Sequence, residues 1–271
     1  MRRSLLLVDG DRYLDLRSVV RDIDPDALSK DGLARIRTAR DSLPVLEVSP
    51  DVRICAPLVR PSAIICIGMN CAAHAAESGS EPPSIPIMFL KTPNTVGGPF
   101  DPVDIPRKSL RTDWEVELAV VIGKRVLYLD SPQEAKEYIA GYMVANDISE
   151  REFQIDLSGG QWSKGKSAPG FSPLGPWLVT RDEVDDRDLR LRSWVNGEPR
   201  QDWSTSDLIF SVDFLVWHLS QYLAMEAGDV ILTGTPAGIA LSGRFPYLRA
   251  NDIVEVEIVG LGRQRQVFGQ A

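Results

Sequence analysis

Residues Asp113-Trp114-Glu115-Val116-Glu117-Leu118-Ala119-Val120-Val121-Ile122 constrain this chain more than any other segment. On a β-strand successive side chains point to opposite faces. Trp114, Val116, Leu118, Val120 and Ile122 therefore share one face. Asp113, Glu115 and Glu117 share the other, which continues into Ala119 and Val121. Both faces turn apolar at the far end, so the strand is expected to run into the interior and carry its carboxylates with it. Two carboxylates entering an interior repel each other and lose their hydration unless a cation joins them. The opposing reading is an edge strand with a solvated acidic face. Ile253-Val254-Glu255-Val256-Glu257-Ile258 has nearly the same alternation and reads as such an edge. Periodicity leaves both readings open for residues 113–122, and a third oxygen ligand is needed to separate them. Asp147 ends the short apolar run Met143-Val144-Ala145-Asn146, where such a ligand could sit. Three carboxylates without histidine or thiolate would select a hard cation, Mg²⁺ or Mn²⁺. Zinc is disfavoured by an inventory of only two histidines.

Around this segment the chain divides into two expected domains. Residues 1–60 read as a small N-terminal domain, with Ser4–Val8 and Tyr13–Leu16 as strands and Gly32–Ser42 as a helix. Pro57 and Pro61 mark the boundary. Residues 61–271 hold short apolar or alternating runs at Ala63–Ile67, Met88–Leu90, Trp114–Ile122, Val230–Thr233 and Ile253–Val259. Helices are expected at Pro132–Tyr142 and Ser211–Met225. Many strands with little βα alternation predict a β-rich α+β chain rather than a doubly wound sheet.

Charge and composition narrow the partners. Thirty basic and 38 acidic residues give a net charge of −8, and no run of five or more basic residues offsets it. Nucleic acid and anionic membrane surfaces are therefore not expected partners. No stretch approaches the ~18 apolar residues of a membrane helix. The apolar run after Arg2 and Arg3 ends at Asp9, short of a secretory leader. Cys55, Cys66 and Cys71 lack metal-site or redox spacing, which points to a reduced, cytoplasmic protein.

Gly160-Gln161-Trp162-Ser163-Lys164-Gly165-Lys166-Ser167 matches the phosphate-loop pattern GxxxxGK[ST]. No buried strand precedes it, and Ala168-Pro169-Gly170 does not readily begin a helix, so nucleotide binding is not expected. His218 lies in an apolar helical stretch with no acid at helical spacing and reads as structural. His74 has Glu77 at i+3 on the same helical face. That pair suits a general base oriented by a carboxylate, and equally an exposed surface pair of little energetic weight.

Taken together, Gly68-Met69-Asn70, the His74/Glu77 pair, Phe89-Leu90-Lys91, Asp113–Leu118, Ala145–Ser149, Gln161–Ser167, Gly175-Pro176, Val195–Glu198 and Thr233–Gly238 resemble the fumarylacetoacetate hydrolase family. The motifs stand in family order from about residue 62 to the C-terminus. The resemblance implies a mixed β-roll catalytic domain with a small N-terminal domain, assembled as a homodimer. It implies Mg²⁺ or Mn²⁺ held by Glu115, Glu117 and Asp147, and a catalytic dyad of His74 and Glu77. Lys166 would stabilise a developing oxyanion, while Lys91, Arg151, Gln154 and Thr235 would contact the substrate. The implied reaction is metal-dependent hydrolysis of the C3–C4 bond of a 2,4-dioxo acid, either an acylpyruvate or a 2,4-dioxo-3-deoxy sugar acid, with release of pyruvate. The same chemistry serves oxaloacetate decarboxylation and isomerisation of the 2-hydroxyhepta-2,4-diene-1,7-dioate type. A non-catalytic binder of metal and 2-oxo acid is the alternative of another class. Departures from the family pattern gather at the substrate pocket. Cys71 stands where a tyrosine commonly follows the asparagine, Ala168-Pro169-Gly170 replaces an acidic, threonine-bearing stretch, and Ala237 and Ala240-Leu241-Ser242 differ around the closing turn.

Overall fold

A computed structural model describes residues 5–77 and 81–271, without the side chains of residues 74–76. Its centre is the strand Val116–Ile122, buried at every position. This strand pairs antiparallel with Ile139–Asn146 on one side and Val230–Leu232 on the other. Val230–Leu232 runs parallel to Ile64–Gly68, which pairs antiparallel with the edge strand Ile87–Lys91. Val179–Thr180 closes the opposite edge of this six-stranded sheet.

A sheet covered on both faces needs apolar side chains at successive positions, and residues 116–122 supply them. Trp114, Val116, Leu118, Val120 and Ile122 join a core that includes Leu191, Val195, Val254, Val256 and Ile258. Those partners come from a second, five-stranded sheet ordered Glu198–Ser204, Arg190–Val195, Ile253–Ile258, Gly262–Gln270 and Val103–Ile105. Ala119 and Val121 enter a separate core with Ile64, Cys66, Phe89, Val230 and Leu232. The alternation read from sequence is thus realised as two cores on two faces.

The N-terminal strands Leu6–Asp9, Arg12–Asp15 and Val45–Leu46 form their own small sheet. With the helices Pro25–Leu28 and Lys30–Ala39 they enclose a core of Leu14, Leu16, Val20, Ala27 and Leu43. Asp24 and Ser29 cap the two helices, each accepting a backbone N–H three residues on. Mixed sheets with few, short helices make the architecture α+β.

Three expectations need correction. Pro132–Tyr142 is helical only to Tyr138, as a 3₁₀ segment, and Ile139 already begins the strand beside Val116–Ile122. Burial on both faces and a full backbone ladder override the local helical pattern there. The helix expected over Ser211–Met225 runs from Val212 to Ser220. Beyond it Met225 and Val126 exchange backbone hydrogen bonds and Tyr128 N–H takes the Ser220 carbonyl, which draws the chain out of the helix. Ile253–Ile258 is not an edge strand either. It lies between two neighbours, and its acidic face is half-buried, with Glu257 paired to Arg192 and Glu255 to Arg263.

Candidate functional site

The acidic segment is broken where the site begins. Thr112–Asp113 pairs with Ser149–Glu150 and Val116–Ile122 with Ile139–Asn146, but Trp114 and Glu115 belong to neither ladder. Side chains satisfy the freed backbone instead. The N–H of Trp114 donates to Asp113 Oδ1 at 2.9 Å, that of Glu115 to Asn146 Oδ1 at 3.0 Å, and that of Val116 to Gln201 Oε1 at 3.2 Å. Asp147 follows the end of the neighbouring strand, and its N–H donates to the Glu115 carbonyl at 2.8 Å. Glu115, Glu117 and Asp147 are thereby brought together, buried, with one carboxylate oxygen of each within 4.8 Å of the others.

Three protein cations enter this cluster. Lys166 Nζ donates to Glu115 Oε2 at 2.6 Å and Asp147 Oδ2 at 2.7 Å. Arg151 reaches Glu115 Oε1 at 2.6 Å, Asp113 Oδ2 at 2.9 Å and Gln154 Oε1 at 2.8 Å. Lys91 Nζ donates to Asp147 Oδ1 at 2.5 Å and to the carbonyls of Phe171 at 2.6 Å and Ile148 at 3.3 Å. An ammonium has three protons to give. Lys91 has all three engaged within the protein, whereas among the described residues Lys166 has two engaged and one left.

These contacts split the two glutamates electrostatically. Burial alone would raise the Glu115 carboxyl, but Lys166 and Arg151 more than reverse this and hold it at about 2. Glu117 forms no ion pair among the described residues and accepts the Gly234 N–H at 2.8 Å. Burial, then the charges of Asp147 and Glu115, push it well above the ordinary carboxylate range. Burial works against the charged form of Lys166 as well, yet Asp147 and Glu115 raise it above the ordinary lysine value.

Asp113, Glu115, Glu117 and Asp147 outnumber Lys91, Arg151 and Lys166 by one. The trio offers only carboxylate oxygens, and one of its members lacks a cationic partner. That donor set fits a hard divalent cation and not a thiophilic one.

The remaining expected residues fall around the cluster. Lys166 arrives on the one-turn helix Ser163–Lys166, preceded by the π-helical turn Glu152–Asp156 and not by a strand. A Cβ on Gly165 would lie 2.4 Å from the Glu150 carbonyl oxygen and from the Gln154 nitrogen, so glycine is required for that turn to pack. The apparent phosphate loop is the segment that delivers Lys166. Gln154 receives Arg151. Thr235, buried, donates to the Val116 carbonyl at 3.0 Å and accepts from Gln201 Nε2 at 2.8 Å, bracing the backbone between the two glutamates.

The helix Ala72–Glu77 meets the Thr233–Gly238 segment, whose Gly234 N–H serves Glu117 and whose Gly238 N–H serves Glu77. Asp207 Oδ2 accepts the Ala73 N–H at 3.1 Å and lies 2.8 Å from Cys71 Sγ. At the other end Glu77, only 10% exposed, accepts the Gly238 N–H and Arg244 Nη1, each at 2.9 Å. His74 lies on this helix, and its side chain is outside the described residues. His218 is part of an aromatic stack, 5.9 Å from Phe214 and 5.0 Å from Tyr222, and burial lowers its pKa.

The sequence pattern that defines the fumarylacetoacetate (FAA) hydrolase C-terminal family matches residues 63–268. The chain belongs to this family. Among curated relatives, a Burkholderia multivorans protein with the provisional name of hydrolase is 46% identical over 268 residues, covering 97% of this chain and 93% of its own. A Mycobacterium smegmatis protein provisionally named HpcE superposes with a TM-score of 0.87 at 35% identity, with both chains fully covered. The fumarylacetoacetate hydrolase of Exiguobacterium antarcticum superposes with a TM-score of 0.86 at 32% identity, covering 100% of this chain and 96% of its own. The solved neighbours include both hydrolases and isomerases, so the chain is a hydrolase or a related enzyme of this family.

Four residues that hold this fumarylacetoacetate hydrolase-family site escape sequence reasoning. Asn146 and Gln201 are polar residues buried within strands and satisfy backbone at the break. Their only sequence signal is a polar side chain where the apolar pattern predicts a core residue. Asp207, on the 3₁₀ turn Thr205–Asp207, and Arg244, in a loop, lie far from Ala73 and Glu77 in the chain, and no local spacing links them.

Proposed function

We propose that this protein is a divalent-cation-dependent hydrolase that cleaves the C3–C4 bond of a 2,4-dioxo acid to pyruvate and a second carboxylic acid. The observation that carries the reading is the buried trio Glu115, Glu117 and Asp147, with a Lys166 proton beside it that no described residue takes and the Glu77-bearing helix joined to it through Gly234 and Gly238. The trio would hold Mg²⁺ or Mn²⁺, which when bound supplies Lewis acidity towards the carboxylate and 2-oxo oxygens of the substrate. Charge balance supports this: with all four carboxylates ionised the cluster carries one excess negative charge, which a divalent cation turns positive and a 2-oxo carboxylate neutralises.

The protein's own groups account for the rest. His74, oriented by Glu77, takes a proton from water, and the hydroxide adds to the C4 carbonyl. The C3–C4 bond breaks, its electron pair goes to C3, and a proton returned there completes pyruvate. The water oxygen leaves in the second acid. Lys166 directs its remaining N–H towards developing negative charge in a desolvated setting, where such a donor has most effect. Arg151 fixes the rotamer of Glu115, Thr235 braces the strand, and Lys91 anchors Asp147. Substrate contacts by Lys91, Arg151, Gln154 and Thr235 remain part of the proposal, with Lys91 requiring release of one of its present partners. Family resemblance adds a homodimer, which light scattering would report as twice the 30.0 kDa chain mass.

The second reading is decarboxylation of oxaloacetate or isomerisation of an unsaturated 2-oxo diacid, of which the isomerisation is favoured by the isomerases among the solved neighbours. Pyruvate release from chelator-stripped protein separates the two. An acylpyruvate, a 2,4-dioxo-3-deoxy sugar acid and oxaloacetate are offered with and without Mg²⁺ or Mn²⁺. Metal-dependent release from a 2,4-dioxo acid, abolished in His74→Ala, is the expected result. Release from oxaloacetate alone, or retained hydrolysis in His74→Ala, would overturn it. Binding without turnover would mark a non-catalytic member.

A further inference from the structure

We propose that Trp203 is a positioning residue for the reaction: its indole N–H acts through the Ala237–Gly238 peptide to fix the Glu77 carboxylate, and with it the dyad, relative to the metal-binding trio. This deepens the function proposed above and rests on it. Trp203 Nε1 donates to the Ala237 carbonyl at 3.1 Å, and the N–H of that same peptide, on Gly238, donates to Glu77 Oε2 at 2.9 Å. Indole, peptide and carboxylate thus form one directed chain of hydrogen bonds. Each bond in such a chain polarises the next, so the indole strengthens the hold on Glu77.

The peptide has little freedom to turn. Gly238 has a φ of +106°, and a Cβ there would lie 2.1 Å from the Arg200 carbonyl oxygen. Gln201, two residues before Trp203 and so on the same face of the strand Glu198–Ser204, donates to Thr235 Oγ1 and to the Pro236 carbonyl, each at 2.8 Å. Side chains of one strand therefore hold Thr235, Pro236 and Ala237 in succession.

At either end of that held stretch a glycine N–H serves a carboxylate. Gly234 serves Glu117 of the trio at 2.8 Å, and Gly238 serves Glu77. The stretch is a bracket between the two halves of the site, and its setting fixes the spacing between them. Trp203 is 39% exposed, so exchanging its ring removes a hydrogen bond more than it removes packing. Its place at the dyad end of the bracket, opposite Glu77 on one peptide, is what gives that bond a consequence for the reaction.

The test reads orientation and turnover separately. Trp203→Phe keeps an aromatic ring and removes the N–H, whereas Trp203→Gln sets an N–H as many bonds from Cβ as the indole nitrogen. Pyruvate release from 2,4-dioxo acids by Mg²⁺-supplied protein is measured for each, alongside ¹⁵N NMR of the histidine side chains. The chain has two histidines, so His74→Ala assigns the signals and His218 serves as internal reference. Trp203→Phe is expected to lower kcat about tenfold and leave KM within about twofold, because a misplaced dyad slows the chemistry without loosening the substrate. The His74 signals should move while those of His218 stay, and Trp203→Gln should recover most of both effects. An unchanged kcat, a loss confined to KM, or an equal loss in Trp203→Gln would overturn the proposal. If the wild type hydrolyses no 2,4-dioxo acid, the reaction proposed above fails by itself and the NMR decides. His74 signals shifted in Trp203→Phe and restored in Trp203→Gln would then uphold the positioning of Glu77, and unmoved signals would overturn it.

Discussion

Val116–Ile122, with Glu115 just before it, and Ile253–Ile258 carry nearly the same alternation of acid and apolar residues. The second strand leaves Glu255 and Glu257 at 22% and 20% side-chain exposure and meets them with Arg263 and Arg192 from the flanking strands. The first takes Glu115 and Glu117 out of water and surrounds them with Lys166, Arg151 and Asp147, which arrive from other parts of the chain. Both strands are interior to their sheets, so pairing does not explain the difference. What differs is the second face. One is roofed by Phe89, the Lys166 turn and the Thr233–Gly238 segment, and the other stays at the surface. Alternation states which side the acids share, while coverage decides whether they are a solvated ladder or a charged interior.

Substitutions can break this comparison at either strand. Glu115→Gln removes the carboxylate shared by Arg151 and Lys166 and leaves buried cations undercompensated. It should cost about 3–5 kcal/mol in urea unfolding of metal-free protein. A loss below about 1 kcal/mol would show that the pairing is only a surface-like contact. Lys166→Met should lower kcat/KM for pyruvate release by about a hundred- to a thousandfold, as expected for a lost oxyanion donor. Retained activity would return Lys166 to a purely structural role.

Glu117→Gln sharpens the contrast within the site. It removes no ion pair and keeps an acceptor for the Gly234 N–H, so metal-free stability should fall by less than about 1.5 kcal/mol. The rise in Tm on adding Mg²⁺, expected of the wild type, should nevertheless be absent in this variant. Glu257→Gln, at the solvated strand, should change stability by no more than about 1 kcal/mol and leave the response to Mg²⁺ unaltered. A large effect there would erase the distinction between the two strands.

The sequence made one half of this legible. Alternation put Glu115 and Glu117 on one face with Ala119 and Val121, and Trp114, Val116, Leu118, Val120 and Ile122 on the other, and the two cores follow that division. It also made the rejection of a nucleotide loop possible, because no strand precedes Gly160. The break at Trp114 and Glu115 was not legible, since it depends on Asn146 and Gln201 as backbone partners. Lys91, Arg151, Lys166 and Thr235 were reached through family resemblance and not through spacing, because ion pairs across such sequence distances leave no periodic trace. Ile139–Tyr142 misled for the converse reason: read as the end of a helix, it begins the strand that continues through the apolar run Met143–Asn146, and burial between two neighbouring strands makes it β.

Burial of Glu115 and Glu117 fits one of two similar acidic strands to hold a divalent cation. Mn²⁺ titration followed by electron paramagnetic resonance, on chelator-stripped protein, tests it most directly. One Mn²⁺ per chain is expected, absent in Glu117→Gln and unchanged in Glu257→Gln. No bound Mn²⁺, or binding that survives Glu117→Gln, would contradict it.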